Sequence, residues 1–179
     1  SLLARWAKGD DGGALDCLIR SHQDPAFRYA RRVCGDADLA RDVVQEAFLR
    51  VMRHHDRLGP DQSFRAWFLH IVRNLAIDAL RRQRTRSAVP YEDHLRSCST
   101  ANPGDDLDRS ETRRRIAETL LDLPEKYREI LVMREMDGMP AEDIASIINV
   151  EYATTRWRLH KARALFREAW LRRYGTEGA

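Results

Sequence analysis

Cysteine is scarce in this chain of 179 residues, and its three cysteines, Cys17, Cys34 and Cys98, lie far apart. None belongs to a C-x-x-C pair, so the sequence predicts neither a disulfide framework nor a zinc module and indicates a reducing compartment. The chain also lacks a signal-peptide pattern and any apolar run near the roughly 20 residues that a membrane-spanning helix needs. We therefore expect a cytoplasmic protein without direct membrane insertion.

Strand patterns, internal repeats and long heptad series are absent as well, so the sequence predicts neither a β-sheet nor a coiled coil. Hydrophobic residues make up 43% and charged residues 33% of the chain, a composition that supports folded cores in a soluble protein. Nearly every periodic segment has the three-to-four-residue spacing of an amphipathic helix. A length of 179 residues fits one large domain or two small ones.

The first two predicted helices are separated by a short turn. The first runs from Leu2 to about Cys34, with a possible break at Pro25. Asp36 or Asp38 can cap the second helix, because its carboxylate can accept hydrogen bonds from the free N–H groups of the first turn. The predicted inward stripe of the second helix contains Leu39, Val43, Ala47 and Val51, widened by Val44, Phe48 and Met52.

The third predicted helix has an apolar first half and an arginine-rich end. Ser63 can cap it after the break at Gly59-Pro60. Its predicted buried face contains Phe64, Trp67, Phe68, Ile71, Leu75 and Ala79. Six arginines lie in residues 64–86 against the single acid Asp78. We interpret it as a helix that is anchored in a core and presents its end to a polyanion.

A second basic segment follows an acidic connector. Residues 151–173 contain seven basic and two acidic residues, whereas residues 87–112 contain six acidic and two basic residues. Pro90, Pro103 and Gly104 interrupt the helical periodicity before this second basic segment, so a flexible linker is predicted over 87–110. The predicted fold is therefore all-α, with two small helical domains (1–86 and 111–179) joined by that acidic linker.

The C-terminal domain has the layout of a helix-turn-helix. Asn149 lies at the turn and tolerates the left-handed backbone that such turns often need. The predicted inward residues are Ile144, Ala145, Ile148, Thr155, Leu159, Ala162 and Phe166. The predicted opposite face contains Ala153, Arg156, Trp157, His160 and Lys161. Such a face fits the major groove of B-DNA, although the same pattern also occurs in helical hairpins that only pack.

Two stretches together resemble the extracytoplasmic-function (ECF) group of bacterial sigma factors. The first half resembles region 2 of that family in DADLARDVVQEAFLRVMRH and FRAWFLHIVRNLAIDALRRQR. The second half resembles region 4 in LLDLPEKYREILVMREMDGMPAEDIASIINVEYATTRWRLHKAR. The motifs occur in the family's order without a middle domain between them, and the resemblance covers about residues 10–173.

The resemblance implies a dissociable subunit of RNA polymerase that recognises promoters, without enzymatic activity, a cofactor or a metal site. It implies binding of core RNA polymerase through Asp42, Gln45 and Glu46, on the face of the second helix away from Val43. It also implies an anti-sigma factor that covers both regions, which a flexible linker would permit.

By the same resemblance, the third helix and the loop before it act on the −10 promoter element. Asn74 and Asp78 line the side that faces single-stranded DNA. The loop residues that receive a flipped-out base are Asp61, Gln62, Ser63 and Phe64. The residues implied to contact phosphates are Arg73, Arg81, Arg82 and Arg84. Trp67 and Phe68 are instead expected in the core.

The −35 element is implied to be read by Arg156, Trp157, His160 and Lys161. The chain departs from the commoner family pattern at Asn149, which replaces a glycine, and at Trp157, where a small polar residue is usual. Trp157 can contact a thymine methyl group or a sugar, or it can pack on the linker. The −35 sequence therefore cannot be transferred from relatives.

Two other function classes stay open on the sequence. A one-component helix-turn-helix regulator explains the second half but leaves the first half without a role. A tyrosine recombinase or other DNA-cutting enzyme is suggested by the H-x-x-R pairs His70–Arg73 and His160–Arg163 and by Tyr174, but the spacing to a nucleophile is too short and other catalytic groups are absent. Adjacent side chains such as His54 and His55 diverge by about 100° on a helix, so no metal site is expected there.

Overall fold

A computed structural model describes residues 13–54, 63–87 and 107–175 of the chain. These ranges contain seven α-helices and no β-strand, which confirms the all-α prediction. The helices are α1 (Gly13–Cys34), α2 (Ala37–His54), α3 (Phe64–Ser87), α4 (Leu107–Leu121), α5 (Glu125–Leu131), α6 (Ala141–Ile148) and α7 (Tyr152–Tyr174). The chain divides near residue 90 into an N-terminal unit with α1–α3 and a C-terminal unit with α4, α5, α7 and most of α6.

The core of the N-terminal unit forms where α1, α2 and α3 pack against one another. Tyr29 and Val33 of α1, Ala47 of α2 and Val72 of α3 are fully buried. Alanine at the helix crossings lets the backbones approach closely, while the aromatic ring of Tyr29 fills the remaining space. The three helices thus share one apolar centre.

The predicted inward stripe is largely confirmed in α2 and corrected in α3. In α2, Val43, Val44, Ala47 and Val51 are buried, Leu39 and Phe48 are half-buried, and Met52 is 37% exposed. In α3 the buried residues are Phe68, Leu69, Val72, Leu75, Ala76, Ile77 and Leu80, while the predicted members Phe64, Trp67, Ile71 and Ala79 are half-buried. Because apolar residues surround most of α3, spacing alone did not locate the centre of its buried face.

Helix α1 continues through Pro25, where the sequence allowed a break. Proline lacks the N–H that would bond the carbonyl of Ser21. Both Ser21 and Pro25 are exposed, so the missing hydrogen bond lies on the face that water reaches. The burial of Ala26 and Tyr29 directly after the proline stabilises the continued helix.

The turn from α1 to α2 contains the predicted helix cap. Gly35 has a φ of 77°, in the left-handed region, which ends α1. The Oδ1 atom of Asp36 then accepts hydrogen bonds from the N–H groups of Asp38 at 2.8 Å and Leu39 at 3.0 Å. Asp36, rather than Asp38, therefore caps α2.

In the C-terminal unit, α4 and α5 both pack against α7. Helix α4 begins at Leu107, so residues 107–110 of the predicted linker are helical. Residues 88–106 of the linker lie outside the described residues. Helix α5 follows Pro124 and continues as a π-helical turn, Val132–Met136, which the sequence did not predict.

A buried guanidinium group connects α4 and α5. Arg128 is only 6% exposed, and its Nη2 donates to the carbonyls of Leu121 at 2.9 Å and Leu123 at 3.0 Å. Carbonyls at a helix end lack intrahelical donors. Arg128, which lies in the LPEKYR stretch of the region 4-like segment, therefore caps the end of α4 and has a structural role.

Candidate nucleic-acid and polymerase interfaces

The turn between α6 and α7 has the backbone that its sequence predicted. Asn149 has a φ of 54°, in the left-handed region. The N–H of Val150 donates to the carbonyl of Ala145 at 3.1 Å, the bond of a Schellman motif that ends α6 and redirects the chain. Ile144 and Ala145 are buried before this turn. The predicted helix-turn-helix is confirmed at its turn.

The inward face of α7 also follows the prediction. Thr155 and Ala162 are fully buried, Leu159 is buried and Phe166 is half-buried. The hydroxyl of Thr155 donates to the carbonyl of Glu151 at 3.3 Å, so its burial leaves no unpaired hydroxyl group. This face fixes the rotation of α7 about its axis.

That rotation exposes all the side chains predicted on the opposite face of α7. The exposed residues are Ala153, Arg156, Trp157, His160 and Lys161. Trp157 is 60% exposed, and the guanidinium of Arg156 lies 5.8 Å from the centre of the Tyr152 ring. The alternative of Trp157 packing on the linker falls outside the described residues. One helix face thus presents two cations, an imidazole and an indole to solvent.

The C-terminal end of α7 is held against α4. Arg173 forms a two-pronged ion pair with Asp122, with Nη2 donating to Oδ1 at 2.7 Å. The hydrogen bond from Arg173 holds the pKa of the Asp122 carboxyl below its ordinary range. The hydroxyl of Tyr174 donates to Glu118 at 2.7 Å, and burial, followed by Glu118, raises its pKa. These contacts join residues that are more than fifty positions apart, so spacing could not predict them.

A further pair holds the middle of α7. The guanidinium of Arg163 donates to Oε1 of Glu135 from Nη2 at 2.6 Å and from Nε at 3.0 Å. Glu135 lies in the π-helical turn. Arg163 belongs to one of the H-x-x-R pairs that suggested a DNA-cutting enzyme, and here its guanidinium forms an exposed ion pair with Glu135.

On α3, three neighbouring polar side chains form a hydrogen-bonded network. Nη1 of Arg73 donates to Oδ1 of Asn74 at 3.0 Å. Nδ2 of Asn74 lies 2.9 Å from Nε2 of His70, one turn earlier. All three side chains are half-buried. Arg73 and Asn74 were predicted to act here, whereas His70 stood out only as part of an H-x-x-R pair, although its spacing of four residues from Asn74 is that of a helical contact.

The end of α3 carries the other residues predicted to contact the −10 element. Asp78, Arg81, Arg82 and Arg84 are all exposed. A distance of 3.9 Å between Asp78 and Arg81 leaves their ion pair weak. The side chain of Arg86 and the loop residues Asp61 and Gln62 lie outside the described part of the chain.

The start of α3 lies in an aromatic cluster. Phe64 stacks on Phe68, with ring centres 5.7 Å apart, and meets the edge of His22 at 4.8 Å. Ser63, just before the helix, is exposed. Phe68 is buried as expected, but Trp67 is half-buried, so the core expectation is confirmed only for Phe68.

The residues predicted to bind core polymerase share the outer face of α2. Asp42 and Gln45 are exposed, and Glu46 is half-buried with Oε1 at 3.2 Å from Nε of Arg50. Val43 and Ala47, on the opposite face, are buried. The face therefore presents two carboxylates and one amide at helical spacing.

Neither a membrane-spanning helix nor a cluster of metal ligands is found in the described ranges. None of their helices is both long and apolar enough to cross a bilayer. The same ranges contain no group of three or more His, Cys, Asp or Glu side chains placed to hold a metal ion.

Known proteins match both units. Residues 18–86 match the family described as Sigma-70 region 2, and residues 113–166 match Sigma-70, region 4. The ECF RNA polymerase sigma factor SigL of Mycobacterium tuberculosis is 32% identical over 157 residues, which cover 87% of this chain and 88% of SigL. The chain belongs to the ECF family of RNA polymerase sigma factors.

Two further known proteins are similar to this chain over most of its length. The ECF RNA polymerase sigma factor SigE of Mycolicibacterium smegmatis is 31% identical over 97% of this chain and 68% of its own. The structure of CnrH in complex with the cytosolic domain of CnrY aligns with a TM-score of 0.69 at 25% identity and covers 93% of both chains. The region 2 match spans most of α1–α3, which a one-component regulator would leave without a role. Sigma factors, as a family, are not enzymes.

Proposed function

We propose that the sigma factor binds core RNA polymerase through α2, opens the −10 element along α3 and reads the −35 element with α7. One observation carries this proposal: α3 and α7 each bury one face and present exposed basic side chains elsewhere. These are Arg81, Arg82 and Arg84 on α3, and Arg156 and Lys161 on α7. Such faces neutralise phosphates, so two of them fit one nucleic acid that is contacted at two elements.

For core binding, the outer face of α2 supplies the complementary charge. Asp42 and Glu46 lie one helical turn apart with Gln45 between them, so they can accept charge-assisted hydrogen bonds from a basic partner. Asp42 and Gln45 are exposed and Glu46 is half-buried, so binding needs little rearrangement of the N-terminal unit beyond the pair of Glu46 with Arg50. We assign these three side chains to the polymerase interface.

Gel filtration with bacterial core RNA polymerase tests the proposal without knowledge of the promoter. The wild type is expected to co-elute with the enzyme, and the double variant Asp42→Ala/Glu46→Ala is expected to co-elute less. The matched control is Asp16→Ala/Asp24→Ala, which removes the same charge from exposed positions of α1. If both double variants lose binding equally, net charge rather than the α2 face governs the interaction.

At the −10 element, Asn74 and Asp78 are proposed to contact the opened strand, with Ser63 and Phe64 beside the pocket for a flipped base. Extruding a base costs a few kcal/mol, which stacking and edge hydrogen bonds in the pocket must offset. Phe64 keeps part of its ring accessible while Phe68 supports its other face. Asp61 and Gln62 complete this proposed pocket. Phosphate contacts are proposed for Arg73 and the basic end of α3.

At the −35 element, α7 is proposed to enter the major groove of duplex DNA. Arg156 can grip guanine O6 and N7, and Lys161 can bind phosphate. His160 and Trp157 extend the same exposed face, and the indole can contact a thymine methyl group. Burial of Thr155 on the opposite side of α7 keeps this proposed DNA-contacting face exposed.

An anti-sigma factor is proposed to control the molecule, as the family resemblance implies. CnrH, which shares the fold and a quarter of the aligned residues, has been solved bound to the cytosolic domain of another protein. The proposal predicts that the fraction of sigma factor bound to core polymerase in cells changes with conditions. A fraction that stays constant and complete under every stress would contradict it.

The sigma factor is further proposed to act in the cytoplasm, beside RNA polymerase, and to catalyse no reaction itself. Promoter opening then draws only on binding free energy. Purified protein that cleaves or ligates DNA would overturn this part of the proposal.

A further inference from the structure

We propose that His70 is a positioning residue that locks the amide of Asn74 in one orientation, so that Asn74 distinguishes amino bases from keto bases in the opened strand. The inference rests on the proposed contact of Asn74 with the −10 element. It adds a residue, and a class of base, that the family motif does not specify.

The orientation of the Asn74 amide follows from its two partners. The guanidinium of Arg73 can only donate, so the Asn74 atom 3.0 Å from its Nη1 must be the oxygen. The amide nitrogen can only donate in turn, so Nε2 of His70, 2.9 Å away, must accept. If the amide turned over, its NH2 group would face the guanidinium and its oxygen would face the lone pair of Nε2. The contact with the guanidinium would be repulsive in either tautomer of His70, and the contact with Nε2 would be repulsive in the tautomer that accepts here.

A locked amide offers a fixed order of hydrogen-bonding groups. An amide has two N–H donors and two lone pairs, and Arg73 and His70 take one of each. One donor and one acceptor then serve a ligand. Because Asn74 is half-buried, part of it stays accessible to a strand lying along α3.

Unpaired bases differ in the order of these groups. On the Watson–Crick edge, adenine and cytosine place an amino donor beside a ring-nitrogen acceptor, whereas guanine and thymine place a carbonyl acceptor beside a ring N–H donor. An amide that turns freely pairs with either order. An amide held by His70 pairs with one order and meets the other donor to donor, which leaves polar groups unpaired and costs binding.

The test uses single-stranded DNA with a randomised central stretch, selected on the complex of full-length sigma factor and core RNA polymerase. In the enriched strand, each base is exchanged in turn for its amino–keto counterpart. The exchanges are adenine to hypoxanthine, cytosine to uracil, thymine to 5-methylcytosine and guanine to 2,6-diaminopurine. At one position we expect the exchange to weaken binding by about fivefold or more, as for a lost bidentate base contact.

Three variants assign that penalty. Asn74→Ala should abolish it, and His70→Ala should reduce it to about twofold or less, since the single hydrogen bond from Arg73 would then be all that restrains the amide. His70→Gln should keep it, because a glutamine oxygen four residues before Asn74 can also accept from Nδ2. All three variants should co-elute with core polymerase like the wild type, which shows that the N-terminal unit is folded.

The outcomes separate this inference from the function on which it rests. If Asn74→Ala changes no penalty at any position, the proposed role of Asn74 is wrong, and the role of His70 falls with it. If Asn74→Ala abolishes the penalty but His70→Ala leaves it intact, Asn74 contacts DNA and His70 does not orient it. Loss of the penalty in His70→Gln as well would likewise overturn the positioning role.

Discussion

The two units hold their candidate DNA-contacting side chains in different ways. In the N-terminal unit, Asn74 is half-buried and bonded to both Arg73 and His70. In the C-terminal unit, Arg156 and Trp157 stand in solvent, with only the ring of Tyr152 near the guanidinium. One unit fixes individual side chains, whereas the other fixes a whole helix and leaves its side chains exposed.

The difference suits the state of the DNA that each unit is proposed to meet. A duplex groove is rigid and presents its base edges in place, so a correctly rotated helix with long side chains is enough to read it. An opened strand is flexible, and ordering it has an entropic cost. If the side chains of the protein are already ordered, binding does not add the cost of ordering them as well. The ordered side chains of the N-terminal unit therefore keep the total entropic cost of binding a flexible strand low.

The largest effect is expected when a fully buried side chain is removed from one of the two units. Ile144→Ala should lower the free energy of unfolding by about 2–5 kcal/mol, because it leaves a cavity in the helix-turn-helix. Hydrogen exchange should then speed up in α4–α7 and stay unchanged in α1–α3. Val72→Ala is the matched control and should show the opposite pattern. Equal acceleration in both units would mean that they do not unfold separately.

The proposed division of labour predicts a crossed result for two alanine variants. Arg156→Ala should weaken binding to a cognate duplex by about 1–3 kcal/mol, the usual worth of a bidentate base contact. Asn74→Ala should leave duplex binding intact and lower strand opening, measured by permanganate reactivity of thymines. Arg172→Ala, exposed on the same helix as Arg156, is the control for charge. Similar loss of opening and core binding in Asn74→Ala would contradict the assigned role.

Substitution of Asn149 is expected to change the stability of the turn between α6 and α7, with a sign that depends on the new residue. Asn149→Ala should destabilise the C-terminal unit by about 1–2 kcal/mol, because alanine tolerates a φ of 54° poorly. Asn149→Gly should keep or raise stability, since glycine enters the left-handed region without a steric cost. Thermal unfolding of the two variants checks both signs. An alanine variant as stable as the glycine variant would show that the turn can rearrange.

The smallest expected effect concerns the ion pair between α4 and α7. Because Arg173 lowers the pKa of Asp122 in the folded state, protons bind the unfolded chain more readily. The pair therefore stabilises the unit at neutral pH, and its contribution is lost as the pH falls through the lowered pKa of Asp122. Both side chains are partly exposed, so the effect should be no more than about 1 kcal/mol.

Unfolding of Asp122→Asn, compared with the wild type between neutral and strongly acidic pH, isolates this contribution. The difference between the two proteins should vanish in acid, where Asp122 is protonated. Glu111 titrates near pH 2 in both proteins because Arg114 and Arg115 bond it, so it cancels in the comparison. A difference that persists in acid would assign the effect to packing.

Local signals in the sequence predicted the features that depend on a few adjacent residues. The cap at Asp36, the left-handed Asn149 and the inward stripe at Thr155 and Leu159 all follow from short-range rules. The proposed contacts with polymerase and DNA came from the resemblance to region 2 and region 4. Their roles stay predictions that the geometry accommodates.

The remaining features depend on partners that the sequence does not place together. The buried face of α3 was misplaced because its apolar residues leave several faces equally plausible. Asp122 and Arg173 meet only through packing of α4 on α7, and the π-helical turn has no local signature. His70 was noticed only as part of an H-x-x-R pair, because the sequence does not show that its ring meets the amide of Asn74.

The length of α7 makes the position of Arg156 sensitive to any tilt of the helix. Arg156 lies eighteen residues from Tyr174, or about 27 Å along the axis at 1.5 Å per residue. A tilt of about 5° at the held end would displace the reading end by about 2 Å, more than the roughly 0.5 Å that a precise binding geometry tolerates. Burial of Thr155, next to Arg156, and the ion pair of Arg173 with Asp122 together keep this tilt small, as the proposed base contacts of α7 require.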